Sequence, residues 1–175
     1  MKLFLLLFFA AIVLFYGCED LDTARIPAVR EFDVSKYCGK WYEIVRLPNW
    51  FEKDMYNVRA EYTLRPDGSV QVVNSGIKKG KQRSVTGRAR LKGNDGKGEL
   101  EVSFQWPFWG SYRIIKLDKD YRNAAVCGKN FDYLWILSRT PEISLAELNK
   151  TLEFLRLNGF EVSRLEFSQH AAPTK

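Results

Sequence analysis

Gly39-Lys40-Trp41-Tyr42 opens the first strand this chain can form. Glycine at 39 permits a tight turn into that strand which a Cβ would hinder. Trp41 is large enough to plug the narrow end of a small barrel, and its indole N–H needs an acceptor there. Alone, these residues describe a strand start with a core tryptophan. Two later stretches extend the pattern: Asp120-Tyr121, in a turn before a short apolar strand, and Arg139, which closes Tyr133-Leu134-Trp135-Ile136-Leu137-Ser138-Arg139.

Outward from Trp41, short alternating runs are separated by turn signals, an all-β pattern. Strands are expected over residues 41–46, 57–64, 69–75, 83–91, 99–104, 112–117, 123–127 and 133–139. Arg65-Pro66-Asp67-Gly68 and the glycine-rich run from Gly93 to Gly98 read as hairpin turns. Eight antiparallel strands in sequence form an up-and-down β-barrel without free edges, a size that leaves room for one small ligand. One C-terminal α-helix follows. Ser144 caps it, with Glu147 three residues on, and Leu145, Leu148, Leu152, Phe154 and Leu155 give it an apolar stripe that should pack outside the barrel. Asn158-Gly159 ends it, and residues 161–167 should return as a short strand near the first.

G-x-W early, D-Y midway and a strand-ending Arg late, in that order, resemble the three signature regions of the lipocalins. Leu134 to Pro141, with Val126-Cys127-Gly128, is similar to the bacterial outer-membrane lipoprotein lipocalins, relatives of apolipoprotein D. The resemblance runs from about Val34 to Phe167. It implies a barrel that binds and carries a fatty acid or lysophospholipid in envelope lipid storage or transport. It also implies a lipid-anchored place on the periplasmic side of the outer membrane.

The chain of 175 residues is long enough for one domain with one sizeable core. Its single histidine, His170, stands near the C-terminus. That leaves no second His for a zinc site and no base for a Ser-His-Asp triad, so no catalytic residue, metal or cofactor is expected. A net charge of +6 suits an anionic ligand or a membrane surface. Nucleic acid would fit the charge but not an exported protein. Lys2, the apolar run Leu3 to Phe15 and Gly17-Cys18 have the shape of a signal peptide. Cys18 resembles the acylated cysteine of a bacterial lipobox, although Phe15 and Tyr16 depart from the usual residues; an ordinary signal peptide cut nearby is the alternative. The expected division is a lipoprotein signal peptide 1–17, an acylated tether 18–33, the barrel 34–168 and a tail 169–175. The acidic pair Glu19-Asp20 keeps inner-membrane retention open. Cys38 and Cys127 should be unbridged: the strand rise puts them on the order of 20 Å apart.

Strand direction sorts the loops into two ends. Gly39, Trp41, Asp120, Tyr121 and Arg139 gather at one, where a guanidinium stacked on the indole would seal the barrel structurally. The other end collects Trp50, Phe51, Trp106, Phe108 and Trp109, with Lys78, Lys79, Lys81 and Arg83 beside them. Such aromatics either fold back as added core or form an apolar mouth with a basic rim, suited to an acyl chain with an anionic head or to a membrane interface. Alternation turns Glu43, Val45, Val70, Val72, Gly87, Ala89, Val102 and Leu137 inward, with a ligand cavity of Val58, Ala60, Tyr62, Asn74, Phe104, Tyr112, Tyr133 and Trp135. Ala60, Gly87 and Ala89 should leave volume. A structural envelope lipoprotein with a filled barrel stays open. So does, more remotely, a lipocalin-type enzyme with Cys127 as nucleophile. A homodimer is compatible with the sequence.

Overall fold

The computed structural model describes residues 22–170. The signal segment, Cys18 and the end of the tail lie outside the described residues. Eight strands close into an antiparallel up-and-down barrel: β1 (Gly39–Arg46), β2 (Met55–Leu64), β3 (Val70–Lys78), β4 (Lys81–Leu91), β5 (Glu99–Gln105), β6 (Phe108–Leu117), β7 (Asn123–Cys127) and β8 (Leu134–Ser138). β1 pairs with both β2 and β8, which closes the ring. A two-residue strand, β9 (Glu166–Phe167), takes over beside the upper half of β1, where β2 has diverged. A single-turn helix, α1 (Val34–Tyr37), precedes β1 and is capped by the Asp33 carboxylate. The later helix, α2 (Leu145–Leu157), is capped by the Ser144 hydroxyl, which accepts from the Glu147 N–H at 3.2 Å.

Two apolar clusters follow from the barrel geometry. The inner one fills the closed half with Tyr37, Trp41, Tyr62, Val70, Val72, Ala89, Leu100, Ile114, Val126 and Leu137. The outer one lies between the wall and α2, where Leu148 and Leu155 meet Ile44, Val45, Ala125, Cys127, Leu134 and Ile136. Leu145, expected in the helix stripe, is 76% exposed. A β-bulge between Glu43 and Val45 changes the phase of β1. Glu43 pairs with inward Leu137, but Val45 pairs with outward Ile136 and Arg46 with inward Trp135. Val45 therefore packs under the helix, against the inward expectation, and Arg46 takes its place facing the interior.

Two expected loops are strands carried further. β3 and β4 continue to a turn at Lys79-Gly80, whose φ values of +51° and +70° are those of the tightest hairpins. β5 and β6 continue to a tip at Trp106-Pro107. The stretch before α1, expected as a free tether, is pinned to the wall from residue 22 onward. Asp22 bridges to Asn130, the Thr23 hydroxyl donates to the Gly128 carbonyl at 2.7 Å, and the Arg113 guanidinium donates to the carbonyls of Thr23 and Ile26. Lower down, the Val29 N–H donates to the Ile114 carbonyl at 2.9 Å and its own carbonyl accepts from Gly98 at 2.9 Å. Cys38 and Cys127 are both free thiols.

Candidate functional site: the barrel cavity

At the closed end the Arg139 guanidinium lies 3.9 Å from the Trp41 ring centroid. It donates to the carbonyls of Tyr121 (3.0 Å), Lys40 (2.9 Å), Lys36 (2.7 Å) and Tyr37 (3.1 Å). The Trp41 N–H donates to the Tyr37 carbonyl at 2.8 Å, and the ring is fully buried. Gly39 turns into the strand at φ +98°, where a Cβ would stand 3.1 Å from the Arg139 guanidinium. Tyr121, at φ +56°, accepts the Asp33 N–H on its hydroxyl at 2.9 Å. Asp120 is exposed in the adjoining turn. Gly39, Trp41, Tyr121 and Arg139 close the barrel, and none of the five lines the cavity.

Above this plug the barrel is hollow. A cavity of about 700 Å³ opens toward the other end, within the range of small-molecule sites. One wall is a run of rings: Trp50 meets Phe51 edge-on at 5.5 Å, Phe51 stacks on Tyr133 at 6.2 Å, and Tyr133 stacks on Trp135 at 6.1 Å. Val72, Val102 and Phe104 face it across the cavity. The floor is a chain of phenols. Tyr112 shares hydrogen bonds with Tyr62 at 2.8 Å and with Tyr37 at 2.7 Å. Burial pushes the Tyr62 phenol up to about 12 and Tyr112 well above its ordinary value, so both stay neutral.

A second hollow of about 440 Å³ adjoins the first; Phe51, Glu52, Asn74 and Val85 border both. Val58, Met55, Lys78 and Arg83 line this side chamber. Glu52, which borders both hollows, belongs to a buried polar cluster with Arg46 and Glu43, of which alternation turns only Glu43 inward. Arg46 donates to the Glu43 carboxylate at 2.8 Å and to Glu166 at 3.1 Å. Glu52, 7% exposed, accepts from the Trp135 N–H at 3.1 Å and from the Asn49 amide. Burial first, then the neighbouring Glu43 charge, raises the Glu52 carboxyl to about 7. The Asn74 side-chain oxygen is buried without a hydrogen-bond partner among the described residues.

Of the residues expected to form the cavity, Tyr62, Asn74, Phe104, Tyr112, Tyr133 and Trp135 line the main hollow and Val58 the side chamber. Ala60 does not reach either: it packs against the inner cluster beside Trp41. Nor does Gly87 leave open volume, because a Cβ there would sit 2.6 Å from the Phe104 ring, which already covers it. At the mouth, Trp50 and Phe51 line the cavity, whereas Trp106 and Phe108 project past it and are 83% and 71% exposed. Trp109 points the other way. Its ring is covered at 4.2 Å by the Arg90 guanidinium on the outer surface, so it is not a mouth residue. Lys78 and Arg83 border the side chamber, while Lys79 and Lys81 are exposed at the hairpin tip and line neither hollow. Glu52 and Arg46 went unread; the one signal was charge set among apolar neighbours, in Val45-Arg46-Leu47 and in Trp50-Phe51-Glu52.

A closed eight-stranded barrel, plugged at one end and open to a deep apolar cavity at the other, is the build of a small-molecule binding protein. The chain belongs to the lipocalins: the family model of the Lipocalin-like domain matches residues 32–170. It is 42% identical over 142 residues to the outer membrane lipoprotein Blc of Citrobacter freundii, covering 80% of each chain. To the outer membrane lipoprotein Blc of Vibrio cholerae it is 40% identical over 160 residues, covering 90% of this chain and 93% of the relative. Among solved structures it resembles insecticyanin from the tobacco hornworm Manduca sexta, with a TM-score of 0.70 at 19% identity, covering 83% of this chain and 85% of that one. That likeness extends to the fold alone.

Proposed function

We propose that this chain is an outer-membrane lipocalin, held by an acylated Cys18, that binds and carries a lipid with a single long acyl chain, a fatty acid or lysophospholipid. The observation that carries this reading is the cavity itself: about 700 Å³, walled by Phe51, Tyr133, Trp135, Val72, Val102 and Phe104. An acyl chain laid against those rings gains about 0.8 kcal/mol per buried methylene. Lys78 and Arg83 at the side chamber suit an anionic head group, and the unpartnered Asn74 oxygen suits a hydroxyl donor on the ligand. The two relatives named as outer membrane lipoproteins, aligned over most of their length, support the location. A filled, purely structural barrel is less well supported, because packing stops at the tyrosine floor. Catalysis through Cys127 gains no support either: the thiol faces the outer cluster, and burial pushes it up to about 11. Native mass spectrometry of gently extracted protein tests the proposal. A co-purified single-chain lipid is the expected result; a clean apo mass with no uptake of added fatty acid or lysophospholipid would refute it.

A further inference from the structure

The rim of the barrel carries both the start of the described chain and the largest exposed aromatics. Asp22 bridges to Asn130, and Thr23 donates to the carbonyls of Lys129 and Gly128 through its N–H (3.0 Å) and its hydroxyl (2.7 Å). Gly128, Lys129 and Asn130 line the main cavity. The described chain therefore starts at the mouth and reaches the plug only further on, by Asp33. Cys18 precedes Asp22 by four residues, a reach of at most about 14 Å. A ten-residue strand such as β2 spans about 33 Å from mouth to plug. An anchor at Cys18 thus has the length to bring the mouth to a membrane and not enough to present the closed end.

The surface at that end fits such a contact. Trp50, Trp106 and Phe108 are 80%, 83% and 71% exposed. Trp106 and Phe108 flank the β5–β6 tip and line no cavity, so a ligand inside the barrel does not account for their exposure. Tryptophan and its neighbours in such tips favour the headgroup layer, where the ring is partly buried and the N–H stays wet. At the closed end the exposed large apolar residues are single leucines, Leu64 and Leu91 at strand ends and Leu145 at the start of α2, and no exposed Trp or Phe is found there among the described residues. Charge does not distinguish the ends: Lys79, Lys81, Arg83 and Lys129 at the mouth are matched by Lys40, Lys119 and Arg122 at the plug. The aromatics and the attachment of the chain do.

We propose that the barrel rests mouth-down on the leaflet that holds its anchor, with Trp106, Phe108 and Trp50 inserted at the lipid headgroup level. A lipid then passes between leaflet and cavity without crossing bulk water. This rests on the reading of Cys18 as acylated and adds to it the direction in which the cavity faces.

The test uses the full acylated chain in vesicles of phosphatidylethanolamine and phosphatidylglycerol containing a phosphatidylcholine with brominated acyl chains. The difference between wild type and Trp106→Phe isolates Trp106 emission. Bromolipid should quench it, and aqueous iodide should lose most of the access it has to Trp106 in vesicle-free protein. Leu64→Trp on the Trp106→Phe background should behave oppositely, remaining open to iodide and untouched by bromolipid. Trp106 emission insensitive to bromolipid, or quenching of the tryptophan at 64, would overturn the proposal. So would finding that the chain carries no acyl group. Lipid loading of vesicle-free Cys18→Ala protein is read separately. An empty cavity with a quenched Trp106 overturns the carrier reading and upholds the docking; a loaded cavity with an unquenched Trp106 does the reverse.

Discussion

Replacing Glu52 by glutamine should flatten the pH dependence of stability. The Glu52 carboxyl is raised from an ordinary 4.5 to about 7, because burial and the Glu43 charge outweigh the hydrogen bonds from Asn49 and Trp135 and the attraction of Arg46. A group whose folded value is raised binds its proton more tightly in the folded state. Its contribution is fully present below about 4.5 and is lost as the pH rises through about 7. Each pH unit between the unfolded and folded values is worth about 1.4 kcal/mol, so wild type should lose on the order of 2–3 kcal/mol between pH 5 and pH 8 from this group. Glutamine is neutral throughout that range. Its carbonyl can also accept from Trp135 and Asn49, which both donate to the same carboxylate oxygen. Other titrating groups cancel when the two proteins are compared. Urea unfolding of both at pH 5 and pH 8 measures the difference of differences. If wild type and Glu52→Gln lose the same stability over that interval, the carboxyl is not held protonated by its site and the account of this group is wrong.

Three further outcomes are expected. Trp41→Ala should cost about 3–5 kcal/mol and Arg139→Ala about 1–3 kcal/mol, because one empties the plug and the other strands carbonyls; thermal melts check both, and a variant with normal stability but lost lipid binding would contradict the structural role of these residues. Gly87→Ala should destabilise by roughly 1–3 kcal/mol, since its Cβ would stand 2.6 Å from both the Phe104 ring and the Ser103 carbonyl; denaturant midpoints report it, and an unchanged midpoint would mean that the ring does not cover the glycine. Arg113→Ala should leave the carbonyls of Thr23 and Ile26 without their donor and free residues 22–33 for limited proteolysis; a cleavage pattern like that of wild type would show the segment to be held by other contacts.

The closed end was legible in the sequence because it depends on residue identity at fixed places: a glycine at positive φ, an indole to bury and a guanidinium to cover it. The interior was legible where alternation holds, and failed where it breaks. The bulge in β1 inverts Val45 and Arg46 without a Gly or Pro to announce it. Trp109 falls in a loop when β6 is begun at Tyr112; alternation counted back from inward Tyr112 through Gly110 puts Trp109 outside. The Lys79-Gly80 turn hid behind a lysine at positive φ, an unusual residue for that conformation. The docking of residues 22–33 was unreadable for a different reason. Much of it is carried by main-chain groups, as at Val29, and these leave no mark on residue type.

The central claim, that an acyl chain fills the barrel, is tested most directly by titrating the protein with fatty acids of increasing length at low and high salt and following tryptophan emission. Trp50 and Trp135 line the cavity and should report occupancy. Affinity should rise roughly fourfold per added methylene until the cavity is full, following about 0.8 kcal/mol each. It should change little with salt, because a partly exposed charge pair at the rim contributes only about 0–1 kcal/mol. Affinity that is flat with chain length, or that vanishes at high salt, would place the ligand on the charged surface and contradict the account.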